Sequence, residues 1–170
     1  MVDRFHSIKG FCGEKDAVLE RIIKVGSLLK NEREIEKMEK FTSRITSSKG
    51  TTFEVEAAIA LEDKFDMKIT EFGSKYYQKG VIPSKRIDPL DFDLATCDTL
   101  IECKYRNFYH DAIDPDKLDT LMRSIVRHKI TAEEVAGKKF LFVSGKALPE
   151  PLKDALKNNN VDFLEILLEL

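Results

Sequence analysis

The stretch DFDLATCDTLIECKYR, residues Asp91 to Arg106, holds two short runs of strand formers on either side of a break, with charges set where a sheet interior has no use for them. Phe92, Leu94, Leu100, Ile101 and Tyr105 favour strands, and Asp91, Asp93, Glu102 and Lys104 are interleaved among them. A carboxylate or ammonium buried in a sheet is costly unless it is paired or holds a metal, so the hairpin's charged face is either solvated or functional. Strand side chains alternate, which puts Asp91 and Asp93 on one face of the first strand and Glu102 and Lys104 on one face of the second. A turn at Cys97-Asp98, or a four-residue loop from Thr96 to Thr99, sets Asp93 opposite Glu102 and Asp91 opposite Lys104, with facing Cβ atoms roughly 4.5–5.5 Å apart. A three-residue loop would slip this register, and Cys-Asp is not a favoured tight-turn pair. Two carboxylates at that range repel, and a hard divalent cation such as Mg²⁺ or Mn²⁺ removes the repulsion. The pattern alone equally admits a half-exposed hairpin with an Asp91–Lys104 ion pair on its solvated face.

Around this hairpin the chain alternates helical and strand-like segments. From Glu14 to about Ile45 the pattern is helical, with Val18, Ile22, Val25, Leu28 and Leu29 on one stripe. Ser47 to Gly50 break it, and Thr51 or Thr52 can cap a helix over about Thr52 to Phe65. MKITEFG alternates as a strand, and SKYYQKGVIPSKRIDP reads as a loop. After the hairpin, Asp114 as cap and Pro115 as first residue open a helix that keeps Leu118, Leu121, Met122, Ile125 and Val126 on one face. KKFLFVSG is a strand, LPEPLKDALKNNN a helix and VDFLEILLEL a final strand. This order implies an α/β core, with a mixed central sheet flanked by helices over residues 49–170 and a helical extension over residues 1–48.

The 28 Lys and Arg against 30 Asp and Glu, net charge -2, give no global basic signature, so any nucleic-acid reading rests on local clustering. Cys12, Cys97 and Cys103 lack metal-binding spacing and fit a reducing compartment. The start has no apolar leader and no run is long enough for a membrane span, so the expectation is a cytoplasmic protein with no membrane partner.

Asp93, a turn, and then Glu102-x-Lys104 in IECK resemble the PD-(D/E)XK nuclease superfamily, the restriction-endonuclease-like fold. Upstream, KGTTFE with Glu54 is similar to the opening helix of the archaeal Holliday junction resolvase and Mrr-like branches, where a helix carboxylate joins the site. The resemblance covers about Lys49 to the C-terminus. This sequence departs from the pattern in that Pro89 stands four residues before Asp93, and Asp91 competes for the aspartate role; Asp93 is favoured because similar sequences place it in an I/F-D-L strand. The resemblance implies that Asp93, Glu102 and the backbone carbonyl of Cys103 bind Mg²⁺, with Mn²⁺ an alternative, and that Lys104 holds or activates the attacking water. It implies that Glu54 touches the metal through water or orients Lys104; on pattern alone Glu54 is equally a solvated first-turn carboxylate. The implied activity is endonucleolytic hydrolysis of DNA, branched DNA included, by a homodimer if junctions are the substrate. The alternative is a catalytically silent DNA-binding or assembly subunit on the same fold, with FLEILLEL as a pairing edge.

Lys75, Tyr76, Tyr77, Lys79, Lys85 and Arg86 sit in a stretch with no acidic residue between Ser74 and Ile87. Basic residues interleaved with aromatics fit phosphate contact and base stacking, and a solvated loop accounts for them equally well. Lys49, Arg106, Arg123, Arg127 and Lys129 could extend such a surface. His110 and His128 are isolated and read as neither ligand nor base.

Overall fold

The computed structural model describes residues 49–84 and 86–168. The helices expected between Glu14 and Ile45 lie outside the described residues. Helix α1 spans Lys49–Phe65, so Lys49, Gly50, Thr51 and Thr52 belong to the helix rather than to the break and cap expected there. Its inward face is built from Phe53, Ala57, Ala58 and Leu61, all fully buried, and the alanines let the helix axis come close to the sheet. Asp66, at φ 53, turns the chain out of the helix, Met67 N–H donates to Leu61 O, and Ile69 is buried. That connection consumes the segment expected to begin the first strand, and β1 starts only at Glu71 and runs to Tyr76.

β2 (Leu90–Ala95) and β3 (Thr99–Lys104) form the expected hairpin. A short helix α2 (Tyr109–Ile113), not expected from the sequence, precedes α3 (Pro115–Glu134). α3 begins as its sequence predicts: the Asp114 side chain accepts from the backbone N–H groups of Asp116 and Lys117, and Pro115 needs no partner at N1. β4 (Lys139–Ser144), α4 (Glu150–Asn158) and β5 (Asp162–Glu165) follow. β5 is shorter than the apolar run VDFLEILLEL allowed.

The described strands form one mixed sheet in the order β1-β2-β3-β4-β5. The first three are antiparallel, and β3, β4 and β5 run parallel. Each face has its own core. α1 packs over Ile69, Phe72, Leu94, Ile101, Cys103, Leu141 and Val143. On the other face α2, α3 and α4 pack over Phe92, Leu100, Phe140 and Phe142. β4 is buried on both faces and therefore reads as a continuous apolar run, KFLFVS. No helix among the described residues is long and apolar enough to cross a membrane.

Gly145, just after β4, lies against Phe53 of α1 and Tyr105. A Cβ there would lie 2.8 Å from Phe53 Cε2 and closer still to the ring of Tyr105. Neither ring can yield freely, since the two pack on each other with centroids 5.5 Å apart and planes at 34°. Gly145→Ala is therefore expected to cost about 1–3 kcal/mol as an overpacked core does, measurable as a lower urea midpoint at unchanged slope.

Candidate active site

The turn that sets the site is Cys97-Asp98, the shorter of the two loops the sequence allowed. Thr96 and Thr99 close it: Thr96 N–H donates to Thr99 O at 2.9 Å, and Thr96 Oγ1 accepts from Thr99 N at 3.0 Å. Asp98 Oδ1 accepts from both threonine hydroxyls at 2.9 Å. Side-chain hydrogen bonds thus supply what an Asn-Gly pair would give through its backbone. The register follows, with Ala95 opposite Leu100 and Leu94 opposite Ile101.

Beyond Leu94 the two strands separate, and the ladder expected to continue through Asp93–Glu102 and Asp91–Lys104 is not made. The backbone one strand away is irregular at the same level. Gly73 has φ +70 and sits between the pairs Phe72–Leu94 and Ser74–Phe92. A left-handed residue in a strand bends it and turns its side chains. Accordingly Leu94 joins the α1 core and Phe92, two residues earlier, joins the opposite one. Asp91 and Asp93 then part company. Asp91 is exposed and pairs with Lys75 at 3.6 Å, which replaces the expected Asp91–Lys104 pair. Asp93 turns into the fork between β2 and β3, and its Oδ2 accepts from Cys103 N–H at 2.7 Å.

Four of the residues singled out in the sequence meet at this fork: Asp93 from β2, Glu102 and Lys104 from β3, and Glu54 from α1. Lys104 Nζ lies 2.5 Å from Glu102 Oε1. Glu102 is only 8% exposed, and its Oε2 is buried with no hydrogen-bond partner. Burial, then repulsion from Asp93 and Glu102, pushes the Glu54 carboxyl up to about 8. Burial and the charge of Glu102 push Asp93 up to about 7, against the Cys103 N–H and Lys104, which favour its ionised form. Burial also raises Glu102, and Lys104 together with a hydrogen bond from Asp93 offsets only part of that. Lys104 suffers the same desolvation, but Glu102 and Asp93 outweigh it and hold the ammonium above the usual lysine range. Clustered acids with raised pKa around one cation are a signature of sites that work on charge.

The donor set fits a hard divalent cation: carboxylate oxygens, repelling one another, with one buried oxygen unsatisfied. With Asp93 Oδ2 given to Cys103 and Glu102 Oε1 to Lys104, no three acidic, His or Cys groups among the described residues are already gathered as ligands.

The residues singled out for nucleic acid do not form one loop. Lys75 and Tyr76 belong to β1, and the half-buried Tyr76 packs edge-on to Phe92 at 6.0 Å. Tyr77 is half-buried, and Arg86 is exposed in the turn after Ser84. Arg106 pairs with Asp111 at 3.4 Å and lies over the Phe108 ring at 4.7 Å. Lys79 pairs with Glu134 at 3.5 Å and lines a cleft of about 460 Å³ with Gln78, Arg123, Arg127 and Ile130. The Lys49 side chain and Lys85 lie outside what is described.

One residue dismissed from the sequence stands beside the cluster. His128 Nε2 is 4.0 Å from Glu102 Oε2, with the His128 side chain 14% exposed. Its signal was present: His128 falls three residues after Ile125 and so continues the inward stripe of α3. No family model, curated protein or solved structure matches the chain.

Proposed function

We propose that this chain is a divalent-cation-dependent nuclease that hydrolyses phosphodiester bonds in DNA. The observation that carries this reading is the convergence of Glu54, Asp93, Glu102 and Lys104, from three separate elements, at the fork between β2 and β3. A pure binding surface for a polyanion has no use for three carboxylates, which repel phosphate. Asp93 and Glu102, with the carbonyl of Cys103, would hold Mg²⁺ or Mn²⁺. Such a cation, when bound, lowers the pKa of its water and neutralises charge on the phosphate.

The chain's own groups do the rest. Lys104, kept charged by Glu102, faces the place where a hydroxide and a phosphate oxygen must meet and favours both anions. Glu54, protonated at neutral pH in the cation-free protein, shares its proton with Asp93 and so holds that carboxyl in the fork. DNA with a two-fold junction suits a homodimer of this chain, and cytoplasmic DNA is the natural target of a chain with unpaired thiols. Incubating the purified protein with labelled duplex, single-stranded, flap and four-way DNA, with and without Mg²⁺, tests the reading. Cleavage of at least one substrate that EDTA abolishes is expected, and inertness on all of them refutes it.

The cleft holding Lys79, Arg123 and Arg127 is the surface we assign to DNA phosphates. Replacing these three with glutamine is expected to flatten the dependence of DNA affinity on salt, by about 0.9 log unit of slope for each phosphate that is no longer neutralised. Titration at several salt concentrations measures it, and an unchanged slope returns the cleft to solvent.

A further inference from the structure

His128 is held as a metal-ligating histidine is held. Its Nδ1 lies 2.8 Å from Ser124 O. A carbonyl only accepts, so Nδ1 carries the hydrogen and the neutral ring presents its lone pair at Nε2. Histidine ligands characteristically give their other N–H to a carbonyl or carboxylate in this way, which fixes both tautomer and ring direction. The ring cannot swing aside. It packs edge-on against Phe92, with centroids 5.2 Å apart and planes at 79°, and tilted against Phe140 at 6.4 Å.

What Nε2 faces is the unsatisfied buried oxygen of Glu102, at 4.0 Å. That is too far for a hydrogen bond. A ring nitrogen and a carboxylate oxygen held at this range away from water leave a place between them for a shared proton or a cation. The other carboxylate oxygen is already taken by Lys104, and Oε2 is the one turned toward the ring. With metal–nitrogen and metal–oxygen bonds of about 2.0–2.2 Å, neighbouring ligand atoms stand about 3–3.5 Å apart, so a shared cation would draw the two atoms together from the 4.0 Å seen here.

We infer that His128 Nε2 and Glu102 Oε2 together bind a divalent transition cation, making this a mixed nitrogen–oxygen site that prefers Mn²⁺ to Mg²⁺. The inference deepens the nuclease reading and rests on it. Imidazole suits transition metals, and Mg²⁺ favours oxygen alone and keeps its waters. The preference therefore resides in His128, whereas the carboxylates serve either ion.

The test is pulsed electron paramagnetic resonance of Mn²⁺ bound to the full chain, with Mn²⁺ and Mg²⁺ affinities measured alongside on wild type and His128→Gln. Wild type is expected to show nitrogen modulation from a directly bound imidazole, absent in His128→Gln. Mn²⁺ affinity should fall on the order of 10- to 100-fold with Mg²⁺ affinity nearly unchanged. If His128→Gln does not fold, His6→Gln and His110→Gln, each retaining the modulation, assign it to His128 by elimination. Bound Mn²⁺ without nitrogen modulation overturns the inference and leaves the nuclease reading standing, with His128 reduced to an ion-pair partner of Glu102. Failure to bind either cation overturns both.

Discussion

Lys104→Ala is expected to leave a protein that folds and binds DNA but has lost most of its Mg²⁺-dependent cleavage. The ammonium is half-exposed but its partner Glu102 is buried, so its removal strands that carboxylate and should cost about 1–3 kcal/mol of stability. Its effect on the reaction is of another order. Without it, the hydroxide and the charged phosphate meet at a point walled by Asp93, Glu102 and Glu54, with less positive charge to hold them there. A positioned group that assists proton transfer contributes roughly 10²–10⁴-fold, and a loss in that range is expected in single-turnover cleavage. DNA affinity, which the proposed function assigns to Lys79, Arg123 and Arg127, should stay close to wild type. If Lys104→Ala cuts at the wild-type rate, the fork is not where the reaction occurs.

Asp93→Asn separates the electrostatic burden of the site from its use. In the metal-free protein the Asp93 carboxyl titrates near 7, against 3.8 ordinarily. Between those values the unfolded chain has released this proton and the native chain still holds it. Native protein therefore binds more protons, and stability falls as pH rises through the window. A shift of this size is worth on the order of a few kcal/mol once pH exceeds about 7. Asparagine is nearly isosteric with the protonated acid, and its Oδ1 can still accept from Cys103 N–H. The variant should therefore match wild type near pH 4 and melt higher near pH 8. Mg²⁺ at pH 8 should raise the melting temperature of wild type and not of Asp93→Asn, which should also be inactive. Equal melting curves at both pH values, with cleavage retained, would show that Asp93 bears no strain and holds no cation.

Much of this arrangement can be read from residue types alone because short-range rules fix it. Asp114-Pro115 marks the start of α3, and the apolar run KFLFVS marks a strand buried on both faces. The choice of Cys97-Asp98 as turn is legible once Thr96 and Thr99 are seen as its side-chain braces. What the pattern could not convey is the bend at Gly73. Perfect alternation assigns Asp91 and Asp93 to one face, whereas beside the left-handed Gly73 of the neighbouring strand one goes outward to Lys75 and the other into the fork. A rule of period two carries no knowledge of a partner strand's backbone. β1 was displaced for a similar reason: Met67 to Thr70 alternate as a strand does, yet they are bound to Leu61 and Ala95 as the joint between helix and sheet. His128 escaped notice because a histidine gains meaning from what stands opposite, and Glu102 is distant in sequence.

The fork has a consequence for how the molecule opens. β2 is laddered to β1 from Glu71–Ala95 to Tyr76–Leu90, but to β3 only at Leu94–Ile101 and Ala95–Leu100. The β1–β2 ribbon is thus a unit that can lift from the parallel half of the sheet while both remain intact, a partial unfolding well below the global free energy. The latch on that motion is the Asp93 side chain accepting from Cys103 N–H. In amide hydrogen exchange, the Cys103 proton would report the latch directly: bonded to the Asp93 carboxyl, it would exchange at a rate set by the ionisation of that acid, with more frequent opening as Asp93 loses its proton, because release from the fork returns it to its ordinary acidity.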